Sequence, residues 1–137
     1  MRITKWIAGV LALGLIASMV HAEPASIPKD QIDKKKIFWG SGENFSKPGK
    51  VDYEKIIKAT PEFATMKKEK IERGSGRYWI LMSQASDRVV KALAHVGEES
   101  EYDLICSSGY LKSLDPPVEA EDLTKKVIEA MEELMGD

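Results

Sequence analysis

Four groups of residues carry the side chains that chemistry would need: His95, Cys106, the acidic run Glu98-Glu99-Ser100-Glu101, and the loop Gly40-Ser41-Gly42. His95 neighbours an apolar helical stripe and has no nucleophile or metal-ligand partner in sequence, so it reads as a packing or surface histidine. Cys106 falls in a strand-like run with no second cysteine and no nearby histidine, the setting of a buried, inert thiol. The glutamates crowd a helix end and read as a solvated surface. Gly40-Ser41-Gly42 lacks the lysine and Ser/Thr spacing of a phosphate-binding loop, and no helix follows it, so a turn accounts for it. No cluster has metal-ligand spacing, and no Ser/His/Asp or Cys/His order forms a triad. The expectation is a protein that is not an enzyme and uses no cofactor.

The elements that would position these residues are mostly helices. Tyr53, Ile56, Ile57, Thr60, Phe63, Met66 and Ile71 recur at spacings near three and four, with lysines and glutamates mostly on the opposite side. That period predicts a helix starting near Asp52, kinked or restarted at Thr60-Pro61-Glu62, where a threonine cap precedes a helix-starting proline. A second stripe, Tyr78, Met82, Ala85, Val89, Leu93 and Val96, predicts a helix over about 77–96, ended by Gly97. Between them Arg73-Gly74-Ser75-Gly76-Arg77 favours a reversal. A continuous helix there would cost roughly 1 kcal/mol per glycine. Folding back at Ser75 brings Phe63 to Ala85, Met66 to Met82, Ile56 and Ile57 to Leu93, and Tyr53 to Val96. Tyr102, Leu104 and Cys106 alternate with Asp103, Ile105 and Ser107 as in a strand. After Asp115-Pro116-Pro117, a last amphipathic helix runs from about 120 to 135, with Leu123, Val127, Ala130, Met131 and Leu134 inward. The fold class is therefore α+β: a helical hairpin over about 52–97, attached to a small β-sheet with a strand at about 102–107, plus a C-terminal amphipathic helix. Residues 23–49 read as a flexible lead-in and loop.

The first residues set the compartment. Arg2 and Lys5 precede an apolar run from Trp6 to Val20, closed by Val20-His21-Ala22, the tripartite pattern of a secretory signal peptide cleaved after Ala22. The run is shorter than the roughly 20 residues a bilayer span needs. Removing 22 residues from 137 leaves 115, one domain. It leaves 18 basic side chains against 22 acidic, since both removed charges are basic. A mildly acidic chain lacks the basic face that nucleic acid requires. With one cysteine, no intramolecular disulfide forms, and a domain this small has a modest core that self-association would enlarge.

This order of features resembles the Skp/OmpH family of periplasmic chaperones. The matching residues are Val51-Asp52-Tyr53-Glu54-Lys55-Ile56-Ile57 at the entry to the first arm, Tyr102-Asp103-Leu104-Ile105-Cys106 at the strand, and Glu121-Asp122-Leu123-Thr124-Lys125-Lys126-Val127-Ile128 in the closing helix. The likeness covers roughly residues 50–135. It implies a periplasmic protein of a Gram-negative-type bacterium, acting as a holdase-type chaperone without ATP on unfolded exported or outer-membrane proteins. It also implies a trimer whose strands share a β-body, which makes Tyr102, Leu104 and Cys106 the candidate oligomer contacts. Tyr78 and Trp79, near the arm tip, become candidate client contacts, with core or interface packing as their competing role. Arms of about twenty residues reach about 30 Å at 1.5 Å per residue, short for that family. A non-enzymatic envelope adaptor that uses the hairpin to bind one folded partner is the alternative.

Overall fold

The chain was analysed as a computed structural model that describes residues 24–136. Residues 1–22, the expected signal peptide, lie outside them. The fold is α+β, with five α-helices and a four-stranded mixed sheet among the described residues. In chain order these are β1 (Ile37–Gly40), β2 (Pro48–Val51), α1 (Tyr53–Lys58), α2 (Pro61–Lys68), α3 (Gly76–Glu99), β3 (Leu104–Ser107), α4 (Tyr110–Ser113), β4 (Glu121–Asp122) and α5 (Thr124–Met135). The sheet order is β1-β3-β2-β4. β3 runs antiparallel to β1 and parallel to β2, and β2 is parallel to β4. The parallel pairing of β2 with β3 requires a crossover, supplied by α1, α2 and α3.

β3 is central because both of its faces are apolar. Ile105 enters the larger core with Val51, Ile56, Ala85, Val89, Leu93, Val127 and Met131, which the helices cover. Leu104 and Cys106 enter a smaller core on the opposite face, with Ile27, Phe45, Leu111 and Leu114. The described part of the expected flexible lead-in, residues 24–36, therefore supplies part of a core: Ile27 is buried, and Ala25 forms a β-bridge with Phe45. Polar bonds fix this segment. The Tyr110 hydroxyl donates to the Gln31 carbonyl at 2.7 Å, and the backbone N–H of Asp33 donates to Tyr110 at 2.9 Å. These long-range contacts leave no local periodicity for sequence reading to detect.

The expected helical run splits as its threonine and proline dictate. Asp52 caps α1 by accepting the Lys55 N–H. Thr60 accepts from the Phe63 N–H and donates to the Ile57 carbonyl, and Pro61 starts α2. Ser75 caps α3 through the Tyr78 N–H, and Gly74 takes φ 90° in the preceding turn, a conformation that favours glycine. α2 and the first half of α3 run in opposite directions, bridged by Glu62 to Arg88 and Glu69 to Arg77. The side-by-side pairing stops at the restart, however. Tyr53, expected beside Val96, instead shares a 2.8 Å hydrogen bond with Ser86, because α1 turns out of line with α2.

Gly97 does not end α3, which continues to Glu99. A Cβ at this position would land on the indole of Trp39, so the glycine allows β1 to approach the helix closely.

Candidate protein-binding surface

α3 has two unlike halves. From Ala85 onward its inner side chains, Ala85, Val89, Ala92, Leu93 and Val96, are buried against the sheet, α1 and α5. Its first turns carry large apolar groups into solvent: Trp79 is 63% exposed and Ile80 60%, with Val90 55% exposed three turns along. Tyr78 is half-buried and meets Trp79 edge to face, ring centroids 5.3 Å apart. A single surface hydrophobe is ordinary; here a tryptophan and an isoleucine at consecutive positions, about 100° apart around the helix, both stand more than half in solvent.

Beside this face lies an open groove of about 840 Å³ between α2, α3 and α5, lined by Gln84, Asp87, Lys91, His95, Glu98 and Leu134, among others. Its fixed feature is the Glu62–Arg88 pair. The guanidinium donates to both carboxylate oxygens, Nη2 at 2.7 Å and Nε at 3.1 Å. This bidentate bond holds the Glu62 carboxyl below its usual range and raises Arg88. His95 lines the groove half-buried.

The other sequence candidates lie elsewhere. Leu104 and Cys106 are wholly covered in the smaller core, and Tyr102 is buried on the helix side of the sheet. The three do not share a strand face as expected, since β3 begins at Leu104 and Tyr102 precedes it. They are covered by the chain itself and present no outward contact surface. Tyr102 donates to the Glu121 carboxylate, which raises the phenol's pKa, while the Lys47 ammonium sits 4.6 Å from its ring centre. Lys47 also pairs with Glu101 at 2.9 Å. Burial pushes the Cys106 thiol up to about 12, which disfavours the reactive thiolate. Glu98 and Glu99 are exposed at the helix end. Gly40 adopts φ 79° at the start of the Gly40-Ser41-Gly42 turn. Among the described residues, no group of three or more His, Cys, Asp or Glu is placed to hold a metal, and no helix is long and apolar enough to cross a membrane.

The sequence reading missed Ile80 and Val90, and the pairing of Glu62 with Arg88. The signal for the first two was present. Ile80, Ser83, Asp87 and Val90 repeat at steps of three, four and three on the side of α3 opposite its apolar stripe.

Compared with known proteins, the chain matches no family model, no curated protein and no solved structure.

Proposed function

We propose that the protein is an exported, non-enzymatic binding protein that shields apolar segments of exported or outer-membrane clients, without ATP, through the outward first turns of α3. The observation that carries this reading is the pairing of Trp79 and Ile80, both more than half exposed, on a helix anchored in the core. A rigid anchor keeps the patch presented without the entropy cost of ordering a loop on binding. Export rests on the Arg2-to-Ala22 pattern. The test is light scattering of a diluted, unfolded outer-membrane protein with and without stoichiometric purified protein. Suppression by the native chain, lost on Trp79→Ser with Ile80→Ser, is the expected result, and no suppression by the native chain defeats the reading.

The envelope-adaptor reading is favoured by the neighbouring groove. Its Glu62–Arg88 pair is already bonded and held in place, which suits one shaped partner better than many unfolded ones. A single crosslinked partner in the envelope, together with no effect on aggregation, selects this reading.

A further inference from the structure

The outward seam of α3 includes Ile80, on which the client reading rests, but it also has a symmetry that client binding would not require. At about 100° per residue, Gly76, Ile80, Ser83, Asp87, Val90 and Ala94 follow one line along the helix, at alternating steps of four and three. Ile80, Ser83, Asp87 and Val90 are all exposed, and the buried stripe lies on the other side. We propose that the protein forms a twofold dimer in which this seam packs antiparallel against the same seam of a second copy.

Three observations commit the face to a second copy. First, the order is complementary to its own reverse. Turned end for end, Ile80 meets Val90 of the second copy, Ser83 meets Asp87, and Gly76 meets Ala94, so every layer pairs apolar with apolar, hydroxyl with carboxylate, or small with small. The Ser83 hydroxyl donates to the Asp87 carboxylate across the seam. A twofold axis requires this self-complementarity, which an unrelated partner would not impose. Second, the parallel alternative is penalised, because like positions would then face each other and bring the Asp87 carboxylates together. Third, the flanks tolerate the pairing. Trp79 lies beside the seam and covers Val90 of the second copy. Arg77, which would approach Lys91 of the second copy, is already neutralised by Glu69. The small residues Gly76, Ser83 and Ala94 let the helix axes approach closely. With only three large apolar side chains per copy, the interface lies at the low end of specific contacts, below about 1,200 Å² in total, so association should be concentration-dependent.

The dimer would cover Trp79 and Ile80 and so compete with clients for the same surface, but its test uses purified protein alone and is independent of any client. Sedimentation should show a reversible monomer–dimer equilibrium in the micromolar range. Ile80→Asp with Val90→Asp should shift it to monomer; because both positions are exposed, the circular dichroism spectrum should be unchanged, and so should the melting transition at concentrations too dilute for the native chain to dimerise. The register has its own check. Mixing an Ile80→Cys chain with a Val90→Cys chain and adding a short bismaleimide should give crosslinked dimer in several-fold excess over either chain alone, with native Cys106 buried and silent. A native protein that stays monomeric at high concentration, or sediments as a trimer, overturns the proposal. So does crosslinking of Ile80→Cys alone as efficient as that of the mixture.

Discussion

Replacing Gly97 with alanine separates two accounts of the glycine. If Gly97 acted as a helix stop, alanine would lengthen α3 and stabilise it by up to about 1 kcal/mol, the usual gain of alanine over glycine in a helix. In the structure Gly97 lies within α3, and the new methyl would fall on the Cε2, Cδ2 and Nε1 atoms of the Trp39 indole. A fused ring held between β1 and the core cannot bend away as a lysine tip would. Overpacking of this kind costs about 1–3 kcal/mol, and the displaced indole would strain the pairing of β1 with β3. Setting the full helix gain against it leaves a net loss of up to about 2 kcal/mol. For a domain near this size that is a fall in Tm of up to about 8 °C. Calorimetry of the native and Gly97→Ala proteins measures it. The pair Trp39→Leu and Gly97→Ala completes a double-mutant cycle: with the indole gone, alanine at 97 should be neutral or stabilising, giving a coupling of at least about 1 kcal/mol. A raised Tm for the single variant, or no coupling in the cycle, would refute the close-approach account.

Three further outcomes follow from the polar bonds and the buried thiol. Arg88→Ala leaves Glu62, nearly buried, without its bidentate partner and should cost about 1–2 kcal/mol at neutral pH, since Arg88 itself is partly exposed. The folded state lowers the Glu62 pKa, so this contribution is complete above its ordinary value of 4.5 and is lost as pH falls through the depressed value. Denaturation midpoints of native and variant proteins should therefore converge in acid, and a gap that widens there would contradict the pairing. Thr60→Val removes both the cap on α2 and the bond to Ile57. A lowered urea midpoint equivalent to about 1–2 kcal/mol is expected, and an unchanged one would mean that α2 starts without its cap. Cys106 should resist alkylation in the folded protein near neutral pH and react only as the chain unfolds; stoichiometric labelling of the native state would place the thiol at the surface.

The parts legible from sequence were those whose signal is local. The apolar period of α3 and α5, the restart at Thr60-Pro61 and the strand expected over 102–107, found at Leu104–Ser107, each depend on residues a few positions apart. The α+β class followed from them. The sheet did not, because its outer strands carry little strand character of their own. Pro48 and Gly49 fell in the expected loop and Val51 at the expected arm entry, yet Pro48–Val51 forms β2 beside β3 in parallel register. Glu121-Asp122 forms β4 in the same way against β2. Gly97 was misread because a helix stop and a close approach both select glycine, and Trp39, nearly sixty positions away, distinguishes them. The strand was started two residues too early, at Tyr102 instead of Leu104, which placed a helix-side residue on the face of Leu104 and Cys106.

These points meet in α3. Its inner stripe and its outer seam lie on opposite sides of one helix, so a single residue rarely serves both core and surface. Changes at Ala85, Val89 or Gly97 should register as stability, because those positions touch the sheet or the helices around it. Changes at Ile80 and Val90 touch no core and should register as association. The division has a physical basis: a helix anchored along one side keeps its other side straight and in fixed register, as a seam read at steps of three and four requires. Tyr53 strengthens that anchor, since its bond to Ser86 ties α1 to the middle of α3 and its ring stacks on Phe38 of β1 at 5.2 Å. The outward face is thus held by contacts on the opposite side of the helix, and binding there need not disturb the core that positions it.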